Sequence, residues 1–329
     1  MILDQFQRKH DYLRISITER CNLRCFYCMP EAGVALSPKS TLMTYEEILQ
    51  IARTFVDMGV RKIRLTGGEP LVRKEVDFII KGLGNLPVEL AMTSNGILVH
   101  QHLETFKQAG LQKINISLDT LRPDRFVQIT KRNTYSKVWQ NIVLLQKQGF
   151  KVKINVVLMN DVNLDEIQDF ILLTKQMPIQ IQFIEFMPFD GNAWDWSRVV
   201  SKQEILGLTG AYFGEANLLK IEDGPNDTAS NYQIKDHKGS FGIISTVSNP
   251  FCDSCNRLRL TANGHLKNCL FSNTESDLLG AYRRGEDIRP LILETVKAKE
   301  KERGGWAHFE DPEHPDNQYK NRSMILIGG

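Results

Sequence analysis

Six short strand-like runs recur through the first 190 residues: LRISIT (13–18), KIRLTGG (62–68), ELAMTSNG (89–96), KINISLD (113–119), KVKINVVLM (151–159) and IQIQFIEFM (179–187). Most are separated by amphipathic stretches such as YEEILQIARTFVDMG (45–59) and YSKVWQNIVLLQKQG (135–149). Strands alternating with helices of this kind build a parallel sheet with crossover connections, so the chain reads as α/β. The repeats carry no fingerprint of phosphate-binding glycines, which favours a partial or closed barrel over a dinucleotide-binding sheet.

Parallel strands covered on both faces read as continuous apolar runs, whereas these place polar groups at every second position. Arg14, Ser16 and Thr18 share a face, as do Arg64, Thr66 and Gly68, Thr93 and Asn95, Asn115, Ser117 and Asp119, and Lys153 and Asn155. One reading is an outer face in solvent. The other follows from a barrel, where helices cover the outside and the polar face is the lumen. Arg14, Arg64 and Lys153 would then suit an anionic ligand such as a phosphate chain.

Beyond residue 190 the rhythm breaks, giving a division into 1–190 and 191–329. GNAWDWS, the glycine-rich 207–214 stretch and EDGPNDTAS read as loop or connector, and FGIISTVS (241–248) with RLRLTANGHLK (257–267) as a short two-stranded module. Asn263-Gly264 signals a type I′ hairpin. The segment RRGEDIRPLILETVKAKEKERGGW reads as a charged surface helix, and residues 307–323 hold too few apolar side chains to pack well.

With 41 Lys+Arg against 39 Asp+Glu, no general attraction to nucleic acid or an anionic membrane is expected, so any basic site is local. The N-terminus lacks an apolar signal region and no run of about 18 apolar residues occurs, giving the expectation of a soluble, cytoplasmic protein. The six cysteines fall in two tight groups of three, a poor disulfide framework and a good metal-binding one. Cys21, Cys25 and Cys28 follow the first strand, and a closed structural zinc site would need a fourth ligand such as His10 or His100. A three-cysteine iron-sulfur cubane instead leaves one iron open to a small molecule. For Cys252, Cys255 and Cys269, His265 lies within the window, so spacing leaves zinc and iron-sulfur open. Arg257 and Arg259 share one face beside that second group.

The arrangement C-x3-C-x2-C with Tyr27 before the last cysteine, together with TGGEP (66–70), resembles the radical S-adenosylmethionine superfamily. CNLRCFYCMP, IRLTGGEPL, TSNG, INISLD, IEFMP, CNRLRL and the terminal Gly328-Gly329 further resemble the molybdenum cofactor biosynthesis protein A family, the GTP 3′,8-cyclases, along essentially the whole chain. The resemblance implies an incomplete six-unit, TIM-like β/α barrel closed laterally by a C-terminal α+β extension. It implies two 4Fe-4S clusters, on Cys21, Cys25 and Cys28 and on Cys252, Cys255 and Cys269. It implies S-adenosylmethionine at Tyr27, Gly67, Gly68, Glu69, Ser117 and Met187, with the two glycines letting backbone carbonyls approach its ammonium. GTP is implied at Arg14, Arg64, Thr93, Lys153, Arg257 and Arg259, with Gly328 and Gly329 reaching into the active site in a catalytic support role.

The implied reaction uses a 5′-deoxyadenosyl radical to take the ribose 3′ hydrogen of GTP, after which the carbon radical attacks guanine C8 and gives 3′,8-cyclo-7,8-dihydro-GTP. The family's partners are an electron donor such as a flavodoxin or ferredoxin and, next in the pathway, cyclic pyranopterin monophosphate synthase; a homodimer is a family-level expectation. Gln182 departs from the family, some of whose members place a phosphate-site arginine there, and the loop EAGVALSPKS after the first cysteines is short. Two rivals differ in class: a peptide-modifying radical enzyme, which would not need the lumen cations, and a zinc-stabilised binding module without catalysis.

Overall fold

The computed structural model describes residues 1–29, 33–306 and 322–328. In its first part β1 (Tyr12–Ser16), α1 (Tyr45–Asp57), β2 (Lys62–Thr66), α2 (Val76–Gly84), β3 (Glu89–Ser94), α3 (Leu103–Gln108) and β4 (Lys113–Ser117) follow one another. Then come α4 (Pro123–Thr130), α5 (Tyr135–Lys147), β5 (Lys151–Leu158), α6 (Ile167–Gln176) and β6 (Gln180–Glu185). The six strands read from the sequence all form. Local chemistry starts the helices: Thr44 and Glu47 make a reciprocal capping box at α1, whose Ile48, Ile51, Ala52 and Phe55 face inward.

The remainder contributes α7 (Lys202–Phe213), β7 (Leu218–Lys220), β8 (Ser230–Ile234), β9 (Ser240–Ile244), β10 (Arg257–Leu260), β11 (His265–Lys267) and β12 (Ser276–Asp277). Among the described residues, three helices complete it: α8 (Leu278–Arg283), α9 (Arg289–Lys297) and α10 (Met324–Ile327). All strands join one sheet in the order β12-β11-β10-β1-β2-β3-β4-β5-β6-β9-β8-β7. The run from β10 through β1 to β6 and on to β9 is parallel throughout, and the outer strands are antiparallel.

Four expectations change here. The strands at 241–248 and 257–267 do not pair as a module: β9 extends the sheet beyond β6, and β10 extends it beyond β1. A parallel sheet's open edges at both ends recruit them separately. The stretch 207–214 is mostly helix, because Ser201 accepts from Glu204 N to start α7 and Ile205, Thr209 and Gly210 pack inward. Gly264 has φ +73° but Asn263 does not enter the left-handed region, so the β10–β11 hairpin is not type I′. Its loop is longer, with Gly264 N donating to Thr261 O at 2.9 Å. The charged run 283–306 is broken at Gly285 (φ +77°), and Ile292, Thr295 and Val296 of α9 are buried. Residues 307–321 and Gly329 lie outside the described residues, as do Glu31 and Ala32 of the short loop.

The alternating polar positions do not form an outer solvent face. Ser16, Arg64, Thr66 and Asn115 are buried, and register aligns Arg259, Arg14 and Arg64 side by side across β10, β1 and β2. The opposite positions, Leu13, Ile15, Ile63, Leu65, Ile114 and Ile154, enter the hydrophobic core with the helices. The core also ties the C-terminal strands in: Phe183 of β6 meets Phe170 of α6 and Phe241 of β9, each at 6.3 Å between ring centroids.

Replacing the fully buried Phe183 by alanine removes both aromatic contacts and leaves a cavity. It is expected to cost about 3–5 kcal/mol and to shift one cooperative urea transition of the whole chain. A transition that splits, with only part of the signal displaced, would mean that β9 and its neighbours unfold independently of the central sheet.

Candidate functional site

Two hollows take up most of the residues expected at the site. The smaller, of about 100 Å³, is lined by Cys21, Cys25, Cys28, Tyr27, Gly68, Asn95, Ser117 and Asp119. The loop that carries the cysteines leaves β1 and is pinned by backbone: Gly68 N donates to Thr18 O and Glu69 N to Arg20 O, both at 2.8 Å. A Cβ on Gly67 would stand 2.6 Å from Thr18 O, and one on Gly68 would stand 2.5 Å from Arg20 O. The two glycines are thus required by chain against chain, before any ligand is considered.

Glu69 fills the space beneath, accepting from Leu71 N (3.1 Å), Ser94 Oγ (2.9 Å) and Asn95 N (2.6 Å). Burial outweighs these bonds and pushes its carboxyl up to about 7. Burial likewise lifts Asp119 to about 6, although Tyr27 donates its hydroxyl to it at 2.6 Å and Val157 N at 2.9 Å. The thiols share this environment: burial first, then Cys21 and Asp119, pushes Cys28 up to about 12.

The larger cavity, about 400 Å³, is lined by Arg14, Lys62, Arg64, Lys153, Arg257, Arg259, Lys299 and Arg303 against, among the described residues, one carboxylate, Asp227. Cys252, Cys255 and Cys269 line the same cavity, as do Met187, Gln182 and Met324. Arg14 is held down to about 9 by burial and then by Arg259, and Arg259 to about 10 by burial. The Nε of Arg14 and an Nη of Arg257 are buried donors without a partner among the described residues, a cost that an anionic ligand would remove. Tyr12 answers part of the charge: its hydroxyl oxygen accepts from Arg64 Nε at 2.6 Å. Burial alone would raise that phenol, yet Arg64, Arg14 and Lys62 bring it down to about 7.

Of the residues expected to contact GTP, Arg14, Arg64, Lys153, Arg257 and Arg259 meet in this cavity, while Thr93 does not line it and accepts from Arg64 Nη1 at 3.3 Å. Of the other group, Tyr27, Gly68 and Ser117 line the smaller hollow, Gly67 and Glu69 lie beneath it, and Met187 faces the larger one. Gly328 reaches the polar face, its carbonyl accepting from Arg259 Nη1 at 2.5 Å. Gln182 accepts from Asn115 Nδ2 at 3.4 Å, so the position is occupied by a neutral group in a neutral network. Tyr12, Lys62, Lys299 and Arg303 were missed. Lys62 carries a legible signal, since it alternates with Arg64 and Thr66.

Both cysteine trios fit thiolate-bound clusters. All six thiols are free, and N–H donors point at sulfur: Leu23 N (3.4 Å) and Asn95 Nδ2 (3.9 Å) at Cys21, Arg303 N (3.4 Å) at Cys252, and Lys299 Nζ (3.5 Å) at Cys255. Among the described residues no three His, Cys, Asp or Glu side chains gather around a single ion's position. His265 stays with the Asn263 carbonyl oxygen, 3.2 Å from its Nδ1.

Residues 15–174 match the radical SAM superfamily and residues 179–304 the family described as molybdenum cofactor synthesis C. The chain is 43% identical to the mitochondrial GTP 3′,8-cyclase of Arabidopsis thaliana, over 100% of this chain and 84% of that protein. It is 46% identical to molybdenum cofactor biosynthesis protein 1 of Drosophila melanogaster, over 92% of this chain but 54% of that protein, so it spans about half the length of the fly relative. In fold it is similar to SuiB of Streptococcus suis bound to S-adenosylmethionine, with a TM-score of 0.61, 14% identity and coverage of 97% and 78% of the two chains. No helix among the described residues is long and apolar enough to cross a membrane.

Glu69 gives this site a pH signature. Its folded value of about 7 lies above the ordinary 4.5, so the folded chain binds this proton more tightly than the unfolded one. The contribution is fully present below about 4.5 and is lost as pH rises through 7. Glu69→Gln lacks it: the stability of the parent relative to the variant should fall by about 3 kcal/mol between pH 4.5 and 8 in urea unfolding of the metal-free protein. An equal difference at both pH values would show that Glu69 is already ionised in the folded state.

Proposed function

The chain belongs to the GTP 3′,8-cyclase family of radical S-adenosylmethionine enzymes, and from that premise we propose that it converts GTP to 3′,8-cyclo-7,8-dihydro-GTP in molybdenum cofactor biosynthesis. The observation that carries the reading is the larger cavity, where five cations expected to contact GTP, two of them with buried donors that have no partner among the described residues, stand beside the second cysteine trio. A triphosphate is the kind of ligand that such crowded charge requires.

We assign Cys21, Cys25 and Cys28 to one 4Fe-4S cluster and Cys252, Cys255 and Cys269 to the other. S-adenosylmethionine is assigned to the hollow above Glu69, with Tyr27, Gly67, Gly68, Ser117 and Met187 around it. When bound, the first cluster and S-adenosylmethionine supply one-electron, hydrogen-abstracting chemistry at the ribose of GTP. The chain's own task is to bind, orient and exclude water. Arg14, Arg64, Lys153, Arg257 and Arg259 hold the phosphates, with Thr93 steadying Arg64. Gly328 brings the tail against Ser16 and Thr66, where a Cβ would lie 2.6 Å from Thr66 Oγ1; the role of Gly329 is proposed with it from the family.

The fold reading that accompanies this is an incomplete six-unit β/α barrel over residues 1–190, closed at the side by residues 191–329. Reduced flavodoxin or ferredoxin is the proposed electron source, cyclic pyranopterin monophosphate synthase the proposed consumer of the product, and a homodimer the proposed assembly. The cytoplasm is the proposed compartment, with a mitochondrial one suggested by the plant relative's name.

Anaerobically prepared protein should carry about eight irons per chain and form 5′-deoxyadenosine only when GTP is present. Turnover that ignores GTP would overturn the cyclase reading. Arg257→Met, which removes a buried charged donor, should weaken GTP binding roughly 10- to 100-fold in equilibrium dialysis while leaving S-adenosylmethionine binding unchanged. Unchanged GTP affinity would remove Arg257 from the phosphate site.

A further inference from the structure

The run KAKEKE, which starts at the last residue of α9, reads as solvated surface charge, yet Lys299 within it is only 3% exposed. Its Nζ donates to Asn268 O at 2.6 Å, Arg257 O at 3.3 Å and Cys255 Sγ at 3.5 Å. Among the described residues it forms no ion pair with a carboxylate. Two carbonyls solvate an ammonium without neutralising it, and a buried cation needs a negative partner. The remaining group within its reach is the Cys255 sulfur.

The strap that carries Lys299 is fixed from the other end of the chain. Gln5 Nε2 donates to Lys299 O at 2.9 Å, and Arg8 donates to Glu300 O at 2.9 Å and Lys301 O at 2.7 Å. The same Arg8 donates to Cys252 O at 2.9 Å, so one guanidinium ties the strap to the cysteine turn. Arg8 is itself held by Asp4 at 2.6 Å. The ammonium is therefore placed by backbone contacts on both sides and does not wander as a surface lysine does. At Cys21 of the first trio, by contrast, the donors to sulfur among the described residues are the neutral Leu23 N and Asn95 Nδ2, and the nearby Arg24 donates to the backbone carbonyl and not to the sulfur.

We propose that Lys299 is a positioning residue for the second cluster, delivering a fixed positive charge to Cys255 that raises the reduction potential of the iron-sulfur group bound there. Reduction adds negative charge to a cluster, and a cation hydrogen-bonded to one of its sulfurs stabilises the reduced form more than the oxidised one. The proposal rests on the reading that Cys252, Cys255 and Cys269 hold iron and sulfur.

The test is an anaerobic redox titration of full-length, fully loaded protein followed by electron paramagnetic resonance, comparing the parent with Lys299→Met and Lys299→Arg. Lys299→Met should keep about eight irons and show a lower midpoint for the second cluster with the first cluster unmoved, and Lys299→Arg should return the midpoint toward the parent's. A fully loaded Lys299→Met with an unmoved midpoint overturns the proposal. Loss of the second cluster from Lys299→Met alone supports a requirement for the charge, whereas loss from both variants assigns Lys299 to packing and overturns it. A parent that carries zinc at the second trio refutes the iron-sulfur reading itself, and metal content shows this before any substitution is made.

Discussion

Like charges crowded into an enclosed space are unstable by themselves, and much of this molecule is arranged to tolerate them. Arg259, Arg14 and Arg64 lie abreast on three neighbouring parallel strands, where register allows no retreat. The chain offsets part of the repulsion internally, through the Tyr12 oxygen on Arg64 and the Gly328 carbonyl on Arg259. The remainder is carried by helices packed on the far side of the sheet, whose apolar burial keeps the strands in place whether or not a ligand is present. A cavity of this kind is preorganised for a polyanion: its donors are already desolvated and oriented.

The cysteine loop shows the same economy in a different material. Its position depends on two glycines pressed against the backbone of residues 18–20 and on Glu69 beneath them. These contacts join the first two strand ends, so the loop is set by the sheet and not by its own sequence. The second trio is positioned otherwise, by a turn from residues 252–255, the strand β11 leading to Cys269, and the strap at 299–303. Both sites thus sit at the same polar face, one held by strand ends and the other by chain segments brought from distant parts of the sequence.

What the sequence disclosed follows this division. The six strands, the parity of Arg14, Arg64 and Lys153, and the Arg257/Arg259 pair were legible, because period-2 alternation is a local property and the sheet preserves it. Lys62 obeys the same parity and could have been found. Lys299 could not: in a run of alternating lysines and glutamates its neighbours give no sign that it alone is buried. The pairing of β9 with β6 and of β10 with β1 was also beyond reach, since strand order depends on which edges are open and not on the strands' own composition. The helix at 202–213 was obscured by Gly207 and Gly210, which weaken helical propensity but are outvoted by the Ser201 cap and inward packing.

The partner of β1 on its outer side is β10, from the last quarter of the chain. While the protein is being made, β10 leaves the ribosome well after β1, because residues 17–256 lie between the two strands. Until β10 emerges, one edge of the sheet stands unpaired next to the nascent cysteine loop, with Arg14 lacking Arg259 beside it. The row of cations facing the larger cavity is likewise incomplete until that strand docks, because Arg257 and Arg259 arrive with it.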